Sequence, residues 1–406
     1  MKTLYNVLVA ILILHTTCAF GYEYQEPTEI NITKRLHKAS YYTLPYWSDI
    51  NGLPKYSGAT GTYTPKHIPT AVSYEGIEYY TFSENSSGDL KLFVAAGGEK
   101  TLVHTISGVT DPHDNAVVNV LDGYVTVVVS ARSNKRLAHI YKADKRNSIE
   151  SFTLVNTGVL AYPQLWKRSL IYTKYTDGSI PDRELYSKNT FCDNKLVSGG
   201  HYSVSYEDKD WLHMAYNWHE GSDVDNRKNI YYMKTKDGCN WYNKDGEHLA
   251  LPLEENSTKT LISATEGLVY MNDIDIIDGV VRILTVQSTS SAPSQGGARE
   301  VIVTSIKEVI EDTFITYTGH NYNSGNFVDG SVVVPVTGSN AIYQRKGYAG
   351  GDVGVFSITG NLSALGGYKY QYNYIKKVVY GDGAYLSETM DSKIYKGAYI
   401  RKITLE

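Results

Sequence analysis

The stretch Asp111-Pro112-His113-Asp114-Asn115-Ala116-Val117-Val118-Asn119-Val120-Leu121-Asp122-Gly123-Tyr124-Val125-Thr126-Val127-Val128-Val129-Ser130-Ala131-Arg132 decides how this 406-residue chain is read. A small polar cluster leads into an apolar run, Asp122-Gly123 supplies the residue pair favoured in two-residue hairpin turns, and a second β-branched run returns. The stretch is a hairpin with polar residues at its entrance.

The same outline recurs along the chain. An earlier copy opens at His67-Ile-Pro and turns at Gly76; later copies open at Tyr162-Pro-Gln164, His201-Tyr-Ser, Met271-Asn-Asp273, His320-Asn321-Tyr322 and Gly351-Asp352-Val. Starts separated by roughly 30 to 50 residues, with one wider gap, match the period of β-propeller blades, each a four-stranded sheet. The expected fold is therefore all-β, a seven-bladed β-propeller. Leu102–Ile106, His139–Lys142 and Ile230–Lys234 are the outer-strand candidates. The first strand of each propeller blade lines the central channel, so the openings His67, His113, Tyr162, His201, Asn272-Asp273, His320 and Asp352 are expected to converge at one mouth.

Composition agrees with many short strands and tight turns: tyrosine contributes 36 residues and glycine 35, while helix-favouring runs are scarce. A net charge of −4 offers no basic field for nucleic acid or anionic lipid. Residues 1–21 read as a cleaved secretory signal, with one basic residue, an apolar core too short to span a membrane and a small-residue end. The expected location is secreted or periplasmic. Residues 22–60 read as an N-terminal extension packing on the propeller, and 61–406 as a single propeller domain. Beyond the signal only Cys192 and Cys239 remain, either paired in one disulfide or as two buried thiols. No Cys-His metal spacing exists, so no cofactor is required; a structural Ca²⁺ among carbonyls and Asp residues is compatible with the sequence but not demanded by it.

By the third and fourth copies the wording is specific. His113-Asp-Asn115, Ser130-Ala-Arg132, Tyr162-Pro-Gln164, Arg183-Glu-Leu-Tyr186, Gly199-Gly-His-Tyr202 and Asn226-Arg227 through Tyr232, followed by Asp237-Gly-Cys-Asn-Trp241, resemble the BNR-repeat propeller proteins of carbohydrate-degrading bacteria. The likeness covers roughly residues 60 to 360, and Thr235–Trp241 looks like an Asp-box turn one residue short. Within that superfamily the chain is similar to seven-bladed polysaccharide lyases of the ulvan-lyase type. That resemblance implies catalytic roles for His113 and Tyr162, and for Lys174 near the place where the family usually has Arg; where a second His is expected, Ser130-Ala131-Arg132 stands instead.

β-Elimination at a uronate needs a base for the proton α to the carboxylate, an acid for the leaving oxygen and a cation or strong donors for the carboxylate. His113, Tyr162 and Lys174 or Arg132 form a chemically sufficient set. Substrate contacts are expected from His67, Asn115, Arg132, Gln164, His201 and Tyr202. Arg227, Asp273, Arg299, His320, Asn321, Tyr322 and Asp352 complete the candidate lining. The implied partner is an acidic polysaccharide bound by a monomer. A hydrolase reading would use two carboxylates from Asp114, Asp273, Asp275 and Asp352. A third reading is a glycan-binding propeller without turnover. Sialidase chemistry ranks low, because His67-Ile-Pro stands where an Arg-Ile-Pro start is needed.

Overall fold

Valine at consecutive positions in Ala116–Leu121 and Tyr124–Val129 means that both faces of this hairpin need apolar cover. A computed structural model shows what provides it. Val118, Val120, Val125, Val127 and Val129 pack against Val72, Tyr79, Leu90, Leu92 and Val94 of the preceding sheet. Val117 and Val128, on the opposite face, pack against Leu165, Leu170 and Tyr172 of the following one. Alternate side chains of one hairpin thus serve two neighbouring sheets.

The structure describes residues 41–43, 66–86, 89–108, 112–131, 136–176, 183–219, 226–254, 257–265, 267–288, 299–317, 325–335, 341–346, 353–357, 369–391 and 396–403. These form seven antiparallel sheets, the blades of a β-propeller, with no α-helix among the described residues. Blade 1 is Ala71–Tyr74, Ile77–Ser86, Asp89–Ala96 and Glu99–Ile106; blade 2 adds Ala138–Ala143 and Phe152–Gly158 to the valine hairpin. Blade 3 is Ala161–Leu165, Leu170–Tyr175, Arg183–Lys188 and Asp193–Val197. Blade 4 is Gly200–Glu207, Leu212–His219, Arg227–Thr235 and Trp241–Tyr242, with Leu261–Ser263 also pairing to the third strand. Blade 5 is Leu268–Ile277, Val280–Ser288, Arg299–Ile306 and Glu311–Tyr317, and blade 6 is Asn326–Val328, Ser331–Pro335, Ala341–Lys346 and Val353–Ser357. Blade 7 is Lys369–Lys377, Ala384–Asp391 and Lys396–Ile403, completed by Tyr41–Thr43 along Tyr399–Arg401. A strand from one end of the chain therefore finishes a sheet built by the other.

The hairpin turns follow the expected chemistry. Asp122 and Gly123 have φ of 51° and 81°, and Glu75-Gly76, Asp278-Gly279 and Asp329-Gly330 repeat the same left-handed pair. Outer-strand candidates Leu102–Ile106, His139–Lys142 and Ile230–Lys234 lie in third or fourth strands. The seventh copy is placed differently: Val353–Ser357 pairs with Ala341–Lys346 as the outermost strand of blade 6, and the inner strand of blade 7 is Lys369–Lys377. A short β-branched run after a polar pair states that a strand forms, not its rank within a sheet.

Side-chain bonds from the two inner strands of the blades, with one backbone bond, tie neighbouring blades into a ring. Asn119 donates to the Leu165 carbonyl (2.8 Å), and Gln164 donates to the Ser203 carbonyl and hydroxyl (3.0 and 2.7 Å) and accepts from Ser205. Asn217 donates to Val269 O (2.6 Å), Asp273 accepts from the Phe327 amide (2.9 Å), and Asn326 accepts from the Lys377 amide (2.8 Å). Ser73 N to Val379 O (2.9 Å) and Thr81 Oγ1 to Ala116 O (2.9 Å) complete the circuit through blades 7, 1 and 2.

At the rim, Cys192 and Cys239 form a disulfide between blade 3 and the turn Thr235–Trp241 of blade 4. In that turn, Thr235 Oγ1 accepts from the Gly238 amide (2.9 Å), and Asp237 accepts from the amides of Cys239 and Asn240 (2.8 and 2.7 Å). Although burial opposes it, these bonds and those from the Asn240 and Thr235 side chains hold the Asp237 carboxyl down at about 2. Trp241, at the end of this turn, is fully buried.

Two stability outcomes are expected. Gln164→Leu leaves buried serine and carbonyl groups unsatisfied between blades 3 and 4 and costs about 1–3 kcal/mol, read as a lower urea midpoint. Removing the disulfide in Cys192→Ala/Cys239→Ala costs about 2–4 kcal/mol, and a reductant then no longer shifts the midpoint.

Candidate active site

Blades 3, 4, 5 and 7 each interrupt the inner-strand register close to the channel: between Ala161 and Gln164, Gly200 and Ser203, Met271 and Asp273, and Tyr370 and Tyr372. A bulge inserts an unpaired residue and re-aims its side chain. In blade 3 that residue is Tyr162, whose φ of 50° is rare for a non-glycine residue. In blade 4 it frees Tyr202, whose amide donates instead to Asn217 Oδ1 (3.2 Å).

A second element fills the centre. Lys66 to Thr70 are all buried and run across the channel from blade 1: Ile68 N donates to Pro163 O (3.2 Å), and Leu165 N donates to Ile68 O (2.8 Å). This crossing sets His67 against Tyr162, with ring centroids 5.8 Å apart. It also carries Lys66 Nζ to 4.4 Å from the Tyr202 ring of blade 4.

His113 reaches the same place from the 3₁₀ turn Pro112–Asp114, which precedes the inner strand of blade 2. The turn is anchored by Asp114, fully buried and paired with Arg136 at 2.6 Å. The His113 and Tyr162 rings meet edge to face at 6.0 Å, and Tyr162 and Tyr202 do so at 5.7 Å. The Tyr175 hydroxyl donates to that of Tyr162 (3.4 Å), and Arg183 lies 5.2 Å from the Tyr175 ring while donating to His219 Nδ1 (3.1 Å). Arg227, 1% exposed, is held between the rings of Tyr202 and Tyr270 at 4.4 and 4.7 Å.

The electrostatics follow from this crowding. Burial, with the neighbouring Tyr175 and Tyr202, pushes the Tyr162 hydroxyl well above the usual phenol range despite Arg183, so it is a neutral proton donor near pH 7. Burial, then Arg227 and Lys376, pushes Lys66 well below the usual lysine range.

Of the residues singled out in the sequence, the structure brings together His67, His113, Tyr162, Tyr202 and Arg227. Asn115 lies beside them in the chain, 3% exposed, and its amide makes no hydrogen bond among the described residues. Gln164 is engaged in the inter-blade ring. Lys174 is not in the cluster: Tyr175 faces Tyr162, so strand alternation turns Lys174 to the other face of blade 3, where its Nζ lies 5.6 Å from the Tyr186 ring. Arg299 opens the third strand of blade 5, two strands from the channel side of its sheet. His201 is in the inner strand of blade 4, and its side chain lies outside the described residues. So do Arg132, His320, Asn321, Tyr322 and Asp352, as well as the signal and all of the N-terminal extension except 41–43. Sequence reading did not place Lys66, Tyr175, Tyr270 or His219 here. Only the position of Tyr175, thirteen residues after Tyr162 on the paired strand, carried a usable signal.

Asp273 belongs to a different cluster. Lys377 Nζ lies 3.1 Å from Asp273 and 3.0 Å from Asp275, and donates to Ile274 O (2.7 Å). Burial, with Asp275, keeps the Asp273 carboxyl above its ordinary range despite Lys377. For Lys377 burial works against the charged form, and the two carboxylates win, raising it. Adjacent Lys376 donates to the His67 carbonyl (3.3 Å), and burial lowers it to about 7, with Asp273 opposing and Lys377 adding. His67, Asp273, Asn326, Lys376 and Lys377 surround a cavity of about 10 Å³, room for one water and not for a sugar. Among the described residues, no three His, Cys, Asp or Glu side chains gather as a metal site, and no helix is long and apolar enough to cross a membrane.

Comparison with known proteins adds the family context. Residues 100–277 match a BNR repeat-containing family. That segment runs from the last strand of blade 1 to the end of the inner strand of blade 5. Among solved structures, the polysaccharide lyase Uly1 is similar, with a TM-score of 0.54 and 13% identity over 84% of this chain and 91% of that one. The β-propeller domain of the Trilobed protease from Pyrococcus furiosus gives 0.44 and 10% over 82% and 95%. A sialidase from Trypanosoma rangeli gives 0.36 and 8% over 90% and 59%. At such identities the likeness to Uly1 is one of fold. No protein of curated function matches the sequence.

Lys377→Met strands two carboxylates at a blade junction and is expected to cost about 3–5 kcal/mol; Asp273→Asn in the same chain recovers part of the loss in urea unfolding. Because Lys376 binds its proton less tightly folded than unfolded, stability rises with pH from about 7 toward the unfolded lysine value of roughly 10.4. Lys376→Met flattens that rise in midpoints measured across the window.

Proposed function

We propose that this protein cleaves a uronate-containing, acidic polysaccharide by β-elimination at the mouth of its propeller channel. The observation that carries the reading is Tyr162, set at a bulge and edge to face with His113, with the guanidinium groups of Arg183 and Arg227 each one tyrosine ring away. The fold that the chain shares with a polysaccharide lyase is consistent with it.

The chemistry distributes as follows. His113 takes the proton α to the carboxylate, and the electrons of that C–H bond become the C4=C5 double bond. As the C4–O bond breaks, neutral Tyr162 gives its proton to the leaving oxygen, the role to which its raised pKa suits it. The carboxylate, whose charge grows as the proton leaves, is met by Arg183 or Arg227. Lys174 has no part in this scheme, and the arginines take the neutralising role.

A hydrolase is less well served. Asp273 and Asp275 share the Lys377 ammonium, and Asp114 is held by Arg136, so these carboxylates are engaged in ion pairs. The same reading assigns the chain to an oxidising compartment outside the cytoplasm; the apolar leader and the Cys192–Cys239 bond support that location.

Incubation with a panel of uronate polysaccharides is expected to produce ultraviolet absorbance of the new C4=C5 bond. His113→Ala and Tyr162→Phe are each expected to lower kcat by about 10²–10⁴-fold while leaving circular dichroism unchanged. Reducing ends without the absorbance would replace the lyase by a hydrolase. Saturable binding without product would leave a glycan-binding propeller.

A further inference from the structure

Lys174, turned away from the mouth, stands at the edge of another cavity. Between the outer strands of blade 2 and the second and third strands of blade 3 lies a recess of about 280 Å³, near the lower end of small-molecule sites at roughly 300 Å³. Its apolar floor is Ile140, Leu160 and Leu170, continuous with the core between the two blades. Asn156, Thr157 and Gly158 form the blade 2 side; Tyr172, Lys174 and Lys188 form the blade 3 side.

The walls have the chemistry of a sugar site with an acid selector. Tyr172 is stacked on Tyr186 at 5.4 Å and its hydroxyl is fixed on Asp193 (3.1 Å), so a rigid aromatic surface bounds the recess. Asn156 and Thr157 are exposed; Asn156 Oδ1 accepts from the Thr157 backbone amide (2.8 Å), so the Asn156 amide nitrogen and the Thr157 hydroxyl are the groups offered to a ligand. Of the two lysines, Lys188 is paired with Asp193 at 3.0 Å, whereas Lys174 is exposed and lies over the Tyr186 ring. Glu184, across the strand pair from Lys174, is itself paired with Lys195 at 3.0 Å, so these five charged residues sum to one positive charge.

We infer that this recess between blades 2 and 3 is a second saccharide-binding site, taking an acidic sugar unit of the polymer. The inference rests on the proposed substrate class, while its residues are separate from the His113–Tyr162 cluster. A second contact on one long chain raises overall affinity by effective concentration, without a new contact at the mouth.

Gly158 provides a steric test. Its φ is unstrained for an L-residue and an added Cβ meets nothing within 4 Å, so Gly158→Leu enters the recess without disturbing the strand. Lys174→Glu reverses the charge at an exposed position. The measurement is isothermal titration of tetragalacturonate, with maltotetraose as the neutral control, into the His113→Ala chain. Two sites are expected, and adding Gly158→Leu or Lys174→Glu removes one or weakens it at least tenfold. One site in the parent that either substitution abolishes supports the recess and counts against the reading of the mouth. Stoichiometry and affinity that neither changes, equal binding of maltotetraose, or no binding at all overturns the recess.

Discussion

The propeller depends on the ring of hydrogen bonds that joins each blade to the next near the axis. Each blade there must bury polar side chains and backbone groups where seven sheets meet, and an unmet donor or acceptor in such a place costs about 1–3 kcal/mol. Asn119, Gln164, Asn217, Asp273 and Asn326 each meet a group on the next blade, so the requirement also locks blade to blade. The apolar layers between blades add area but little register; the side-chain bonds set the height of each strand against its neighbour.

The candidate site is a departure from that order. Bulges free Tyr162 and Tyr202 from the ladder, and the Lys66–Thr70 crossing fills the axis beside them. The resulting assembly is costly on its own terms: Lys66 and Arg227 are both buried near each other, and burial disfavours their charged forms. Tyr202 and Tyr270 recover part of that cost through their ring faces. For the proposed reaction, the guanidinium groups of Arg183 and Arg227 beside a neutral phenol are the groups that would meet a growing negative charge.

Much of this was legible beforehand. The hairpins at Gly76, Gly123, Gly279 and Gly330 were readable because a two-residue turn with positive φ selects Gly, and His113 and Tyr162 because they open consecutive copies. Blade 7 was misplaced because Lys369–Lys377 lacks the β-branched run that marked the others. The family resemblance implies a catalytic role for Lys174, but a strand sends successive residues to opposite faces, and Tyr175 takes the inward one.

By itself the sequence determined the period of the chain, its turns and the residue types at each blade entrance, because these are local properties written within a few residues. The tertiary structure alone decided which polar residues hold blades together and which gather around His113 and Tyr162. Gln164 and Asp273 went to the first group; Lys66, Arg183 and Arg227 joined the second. The reason is physical: a side chain's role at the axis is set by the neighbouring blade it meets, and that neighbour lies tens to hundreds of residues away, as Lys376 and His67 show.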